Sequence, residues 1–173
     1  RMTSSDHTAA CQRLVTDTDY SGLSTAELVI EAVFEDMEIK KEVFRQLDKH
    51  APDGTILATN TSYLNTDEIA AVTSRPEDVI GLHFFSPAQL MRLLEIVKGE
   101  KTDPHVVATC LAFARRLDKV GVLAGVCDGF IGNRILFHYR KQIDYMLEDG
   151  AMPWDIDQAM ESFGMAMGPF RVM

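Results

Sequence analysis

Short apolar runs alternate with amphipathic segments along most of this chain. The clearest run, Leu28 to Val33, is rich in β-branched residues, which is typical of a buried strand in a parallel sheet. An acidic turn follows this run and leads into residues 39–49, whose apolar residues recur at helical spacing. The same reasoning predicts further strands over residues 13–16, 55–59, 79–83, 93–97 and 120–123, and helices over residues 66–72 and 104–117. This alternation predicts a parallel α/β sheet with right-handed crossovers.

The pattern changes in the last third of the chain, where the apolar residues keep helical spacing only. Two longer helices are predicted there, over residues 130–147 and 153–164. We therefore expect a domain boundary near Val126. Residues 1–125 would form the α/β part, and residues 126–173 would begin an all-helical part.

Composition and charge exclude several classes of protein. Of the 173 residues, 46% are hydrophobic and 25% are charged, which is ordinary for a globular protein and argues against disorder. The net charge of -9, with no stripe of Lys or Arg, argues against nucleic acid as a partner. No apolar stretch approaches the roughly 18 residues that span a bilayer. The three widely spaced cysteines support neither a disulfide framework nor a metal site, and they favour a reducing compartment.

A histidine and a glutamate occupy informative positions in two neighbouring apolar runs. His83 stands at the exit of one run, and Glu95 lies inside the next, twelve positions later. Histidine can exchange a proton near neutral pH, and a buried carboxylate on its far ring nitrogen would fix the tautomer and stabilise the imidazolium. A core histidine at a strand end, satisfied by backbone groups, explains the same residues equally well.

Polar residues follow several of the predicted strands, at the edge where ligands collect in doubly wound sheets. Glu35 follows the first strand, Asn60 to Ser62 follow the second, and Ser86 lies just beyond the third. Residues of these types also commonly cap helices after strands, which is the simpler interpretation of each one alone. Lys40, one helical turn beyond Glu35, is by the same reasoning more often a solvated surface cation than a ligand group.

In their order along the chain, these segments resemble the L-3-hydroxyacyl-CoA dehydrogenase family, and within it the dehydrogenase module of multifunctional fatty acid β-oxidation enzymes. The matching phrases are Leu28 to Asp36 with Lys40, Thr59 to Ser62, Gly81 to Pro87 with Met91 and Glu95, Asp128 to Arg134, and Gly164 with Met167 to Phe170. The resemblance implies a Rossmann-like NAD-binding domain, of which residues 1–125 would be the C-terminal portion. Residues 126–173 would begin the helical C-terminal domain. The implied reaction is the NAD-dependent oxidation of (S)-3-hydroxyacyl-CoA to 3-ketoacyl-CoA.

The resemblance also implies roles for particular residues. His83 would be the general base for the 3-hydroxyl proton, and Glu95 would orient and stabilise its imidazole. Ser62 would bind near the reacting oxygen and the nicotinamide, while Asn133 would hold the substrate carbonyl. No metal is implied. The residues expected to face the cofactor are Val33, Phe34, Glu35, Lys40, Ser62 and Ser86.

Two departures from the family pattern affect these expectations. Ser86 stands where the family commonly has Asn, and no Gly-x-Gly-x-x-Gly occurs anywhere in the chain. The turn that cradles the pyrophosphate would lie upstream of Arg1. Because the chain begins at Arg1-Met2 and ends at Met173 within an apolar phrase, we expect a fragment. Because the phosphate-cradling turn is absent, we expect this fragment to be weak or inactive alone.

The expected setting and the alternatives follow from the same resemblance. The substrate would be an acyl-CoA, and the parent would be a homo-oligomer or a multifunctional complex. It would be cytoplasmic in a bacterium, and peroxisomal or mitochondrial in a eukaryote. Another β-hydroxyacid-type dehydrogenase is less favoured, because its usual lysine is absent after Asp128 until Lys141. A non-catalytic structural remnant of the same fold is the remaining alternative.

Overall fold

The computed structural model describes residues 3–172. The ends on which the expectation of a fragment rests, Arg1, Met2 and Met173, lie outside the described residues. The strands are β1 (Leu28–Glu31), β2 (Ile56–Thr59), β3 (Val79–Phe84), β4 (Leu93–Lys98) and β5 (Val120–Gly125). The helices are α1 (Ser4–Cys11), α2 (Met37–His50), α3 (Thr66–Ala70), α4 (Pro104–Arg116), α5 (Gly132–Glu148), α6 (Pro153–Phe163) and α7 (Pro169–Val172), with short 3-10 turns at Ser21–Thr25 and Pro76–Asp78.

The five strands form one sheet in the order β1-β2-β3-β4-β5. Strands β1, β2 and β3 are parallel to one another, but β4 runs antiparallel to β3, and β5 is parallel to β4. The predicted parallel α/β sheet is therefore present, except that the β3–β4 pair is antiparallel. Residues 85–92, between β3 and β4, contain no helix, and without a crossover the chain must return in the opposite direction.

The strand predicted over residues 13–16 is also wrong. These residues form no regular element, and the side chains of Leu14 and Val15 are 75% and 91% exposed. Their short apolar pattern fits a strand, but no strand in the described part of the chain pairs with it. Pattern alone does not stabilise an extended segment that has neither a hydrogen-bonded neighbour nor a surface to pack against.

Two apolar clusters cover the two faces of the sheet. On one face, Ile80, Leu82 and Leu94 pack against α4, including its buried Cys110. On the other face, residues of β2 and β3 pack against α2 and α3, around the fully buried Phe44. Because both faces are covered, the central strands are apolar throughout rather than alternating, as the sequence suggested.

Aspartates fix the entrances of the two longer helices on the sheet. Asp36 accepts hydrogen bonds from the backbone N–H of Glu38 and Ile39 at the start of α2. Asp103 caps α4 in the same way, with Pro104 in the first helical turn. These caps fix where the preceding loops end and each helix begins.

The helices after residue 131 are packed less tightly than the sheet. Helix α5 buries only Ile143 among its described residues, whereas Ile135 and Phe137 are largely exposed. Helices α6 and α7 pack on each other, and Gly164 ends α6 in the left-handed region with a φ of 118°. Across residues 3–172, no helix combines the length and apolarity that a membrane crossing requires.

Candidate active site

His83 and Glu95 lie directly opposite each other on the antiparallel strands β3 and β4. Side chains at opposed positions project from the same face, and here the His83 Nδ1 atom is 2.7 Å from Glu95 Oε2, with both side chains buried. An ionised carboxylate only accepts hydrogen bonds, so Nδ1 carries the proton. The other ring nitrogen, Nε2, is then the atom that can take a proton from a ligand.

The second oxygen of Glu95 binds the start of helix α5. Glu95 Oε1 accepts hydrogen bonds from the backbone N–H of Ile131 at 2.9 Å and of Gly132 at 2.8 Å. The first amide groups of a helix have no partner within the helix, so these two contacts let Glu95 cap the start of α5. One residue therefore joins the histidine to the first helix of the helical part.

Two aromatic rings surround the imidazole. The ring centroid of Phe85 lies 4.4 Å from that of His83, and the centroid of Phe130 lies 5.8 Å away. A Cβ atom added to Gly132 would come within 2.8 Å of the Phe85 ring, so only glycine lets α5 approach this closely. Neither ring is among the site residues predicted from the sequence, although Phe85 and Phe130 each lie within one of the matching phrases.

The loops after β1 and β2 meet at the carboxylate of Glu35. Glu35 Oε1 accepts hydrogen bonds from the hydroxyl of Thr61 at 2.5 Å and from the backbone N–H of Ser62 at 2.6 Å. Asn133 on α5 donates from Nδ2 to the Ser62 carbonyl at 3.2 Å. In addition, Asn60 Oδ1 accepts from the Phe84 N–H at 2.8 Å, which ties the end of β2 to β3. The predicted residues Glu35, Ser62 and Asn133 are thus brought together.

Glu35 has a lowered pKa in this setting. Its partial burial would by itself raise the pKa, but the Thr61 hydroxyl, the Ser62 amide and the nearby ammonium of Lys40 together outweigh burial. Each of these groups stabilises the ionised carboxylate. Glu35 is therefore an anion over a wider pH range than an ordinary surface glutamate.

Lys40 is buried, which corrects the interpretation of this residue as a solvated surface cation. Its side chain crosses back under the end of β1, with Nζ 2.8 Å from Glu31 Oε1 and 3.3 Å from Glu35 Oε2. Glu31 is not among the site residues predicted from the sequence. The signal that could have found it is a carboxylate inside an apolar run, the same signal that drew attention to Glu95.

The remaining predicted residues lie at the same edge but contribute little to these contacts. The Val33 N–H donates to Glu31 Oε1 at 2.6 Å, and the Phe34 side chain is 83% exposed. Ser86 is exposed beyond β3, and the Ser86–Pro87 peptide is cis. An exposed apolar surface beside polar groups is the usual composition of a small-molecule site.

A cavity of about 730 Å³ lies at the opposite end of the sheet, beside the starts of β1, β2 and β3. It contains none of the predicted site residues, and ligands of open α/β sheets bind at the carboxyl ends instead. Within residues 3–172, no group of three or more His, Cys, Asp or Glu side chains is arranged to hold a metal ion.

Two family models together match nearly the whole chain. The model described as 3-hydroxyacyl-CoA dehydrogenase, NAD binding domain, matches residues 1–127. The model described as 3-hydroxyacyl-CoA dehydrogenase, C-terminal domain, matches residues 129–173.

Relatives and solved structures agree with these matches. The peroxisomal bifunctional enzyme of Cavia porcellus is 51% identical over 150 residues, covering 87% of this chain and 21% of that protein. The fatty acid oxidation complex subunit alpha of Shewanella amazonensis is 40% identical over 172 residues, covering 99% of this chain and 24% of that protein. The structure of (S)-3-hydroxybutyryl-CoA dehydrogenase from Ralstonia eutropha superimposes with a TM-score of 0.93 at 32% identity, covering 99% of this chain and 61% of that one. The chain therefore spans only about a fifth to a quarter of the length of the Cavia porcellus and Shewanella amazonensis proteins.

Proposed function

The chain belongs to the 3-hydroxyacyl-CoA dehydrogenase family, and from this premise we propose that its parent protein oxidises (S)-3-hydroxyacyl-CoA to 3-ketoacyl-CoA in fatty acid β-oxidation. The family's N-terminal domain binds NAD, so the cofactor is NAD. The observation that carries the proposal is the buried contact between His83 and Glu95, which leaves one imidazole nitrogen to exchange a proton. Neither alternative, another β-hydroxyacid-type dehydrogenase nor a structural remnant, is favoured by the matches.

In the proposed reaction, His83 Nε2 takes the proton from the substrate 3-hydroxyl group as the carbonyl forms. Bound NAD supplies the redox chemistry by accepting the hydride from C3. Glu95 keeps the proton on Nδ1 and stabilises the imidazolium that results. Ser62 and Asn133 would donate hydrogen bonds to the substrate oxygens, in positions fixed before the reaction begins.

The cofactor would be held at the carboxyl ends of β1, β2 and β3. Glu35, Ser62 and Ser86 would face it with polar groups, and the segment of Val33 and Phe34 would supply an apolar surface. Lys40 would act from the buried side of this site, because two carboxylates already bind its ammonium. Since the 173 residues contain no Gly-x-Gly-x-x-Gly, we expect them alone to bind NADH weakly.

The organisation and setting of the parent are part of the same proposal. We propose a domain boundary near Val126, so that the site lies between the sheet and the first helix of the second domain. The parent would be a homo-oligomer or a multifunctional complex that acts on an acyl-CoA. It would work in a bacterial cytoplasm or, in a eukaryote, in peroxisomes or mitochondria.

The decisive experiment measures NADH oxidation by the parent protein with acetoacetyl-CoA as substrate. The His83→Ala variant should lose about 10³-fold in kcat, because general base catalysis contributes on that order. His105→Ala is the matched control, since His105 is exposed at the other end of the sheet, and it should leave turnover unchanged. Full activity in His83→Ala would refute the role of the base. A folded wild-type protein that binds NADH but gives no turnover would instead indicate another substrate class.

A further inference from the structure

Glu31 is a buried carboxylate that the reaction described above does not use. It ends β1, is 4% exposed, and both of its oxygens are engaged. Oε1 accepts from Lys40 Nζ at 2.8 Å and from the Val33 N–H at 2.6 Å, and Oε2 accepts from the Thr59 hydroxyl at 2.8 Å. The carboxylate is therefore fixed by an ammonium, a backbone amide and a hydroxyl from three different elements.

Such a cluster is not what packing alone favours. Removing an ion from water is unfavourable, and a well-packed apolar pair often stabilises a core as much as a buried ion pair does. Here two carboxylates, Glu31 and Glu35, share the single ammonium of Lys40, so the cluster keeps one excess negative charge. Apolar packing on the same helix is already supplied by Phe44 and Leu47.

Lys40 connects Glu31 to the proposed cofactor site, because its ammonium contacts both Glu31 and Glu35. Lys40 Nζ is fixed on one side by Glu31 and by the Val33 carbonyl at 3.4 Å, and it reaches Glu35 Oε2 on the other side. Glu35 in turn accepts the Ser62 N–H. Because the Glu35 side chain is 26% exposed, it has room to move, and the buried ammonium restrains it.

We propose that Glu31 is a positioning residue for the cofactor half of the site. Through Lys40 it fixes the carboxylate of Glu35, and through Glu35 it fixes the peptide group of Ser62. This proposal rests on the proposed function, because it takes Glu35 and Ser62 to face NAD. Glu31 itself touches neither substrate nor cofactor, so its effect is on binding rather than on proton transfer.

The test uses the parent protein and measures the Kd for NADH separately from kcat at saturating NADH. Glu31→Gln keeps the size of the side chain and removes its charge. We expect an increase in the NADH Kd of about tenfold and a kcat within about twofold of wild type. Glu42→Gln is the charge-matched control, since Glu42 is exposed on α2 and pairs only with neighbouring side chains of that helix. It should leave both quantities unchanged.

A second variant tests whether Glu31 acts through Glu35. If it does, the double variant Glu31→Gln/Glu35→Gln should bind NADH no more weakly than Glu35→Gln alone. Independent effects, which multiply to a loss of about a hundredfold, would overturn the proposed path.

A third variant keeps the proposal testable if Glu31→Gln does not fold. Glu31→Gln/Lys40→Met removes both members of the buried pair, so that no charge at either position is left unpaired. A folded protein with NADH binding as weak as in Glu35→Gln supports the proposal. Normal NADH binding in this variant would show that Glu31 merely stabilises the fold. The same conclusion would follow if Glu31→Gln bound NADH normally and differed from wild type only in a lower Tm. Wild-type protein that does not bind NADH would instead refute the proposed function.

Discussion

Two buried carboxylates of this molecule, Glu95 and Glu31, are held in similar ways but have different partners. Each lies within an apolar run, and each accepts hydrogen bonds from at least one backbone amide and from side chains. Glu95 binds His83 and extends from the sheet to the start of α5. Glu31 binds Lys40 and stays within β1, β2 and α2. From this difference we propose that the partner, rather than burial, decides whether such a carboxylate serves proton transfer or positioning.

Among the variants that test this comparison, Glu95→Gln should cause the largest loss in kcat. Since Oε1 must accept two backbone N–H groups, the new NH₂ group is forced toward His83 Nδ1, and the proton then moves to Nε2. The imidazole cannot act as a base in that tautomer, so we expect kcat to fall about 10³-fold with NADH affinity unchanged. Steady-state kinetics of the parent protein test this, with the exposed Glu100→Gln as control. A weakened NADH affinity at normal kcat would contradict the division of roles.

Gly132→Ala should cause an intermediate loss in kcat, because it affects only the surroundings of His83 and Glu95. The added methyl group would press on the Phe85 ring, which packs against the imidazole. We expect a loss in kcat of about tenfold, because small displacements of a catalytic group are costly. Gly22→Ala is the control, since a Cβ there meets no atom within 4 Å. Unchanged kcat in Gly132→Ala would show that Phe85 does not hold the histidine in place.

Glu35→Gln tests the Glu31 half of the comparison through protein stability, where we expect the smallest effect. The pKa of Glu35 is lowered from its ordinary value of 4.5, so its charge stabilises the fold above that value, and this stability is lost as the pH falls through the folded value. We expect the variant to unfold about 1 kcal/mol more easily at neutral pH. The difference from wild type should shrink in acid. Urea unfolding at the two pH values measures it, and a constant difference would contradict the lowered pKa.

Much of the fold could be predicted because burial on both faces makes the central strands apolar throughout. Strands β2 to β5 and the helices around them occur within a few residues of their predicted bounds. The direction of β4 could not be predicted from its own residues, because a parallel and an antiparallel strand show the same apolar run. The clue lies in residues 85–92, which are too few to form a crossover helix.

The site was predictable where a polar residue interrupts an apolar run, as His83 and Glu95 do. The same signal at Glu31 was overlooked, because that residue was counted as part of the strand pattern. The burial of Lys40 could not be predicted, because the sequence of α2 shows helical spacing but not which face the end of β1 covers. A lysine is exposed by default, and the carboxylates of Glu31 and Glu35 make its burial tolerable.

The most direct test of the account compares Glu95→Gln and Glu31→Gln in the same parent protein. For each variant, kcat at saturating NADH and the Kd for NADH would be measured side by side. We expect opposite outcomes, with kcat lost and binding kept in Glu95→Gln, and binding weakened and kcat kept in Glu31→Gln. If both variants lose the same quantity, the two carboxylates do not have the separate roles proposed for them.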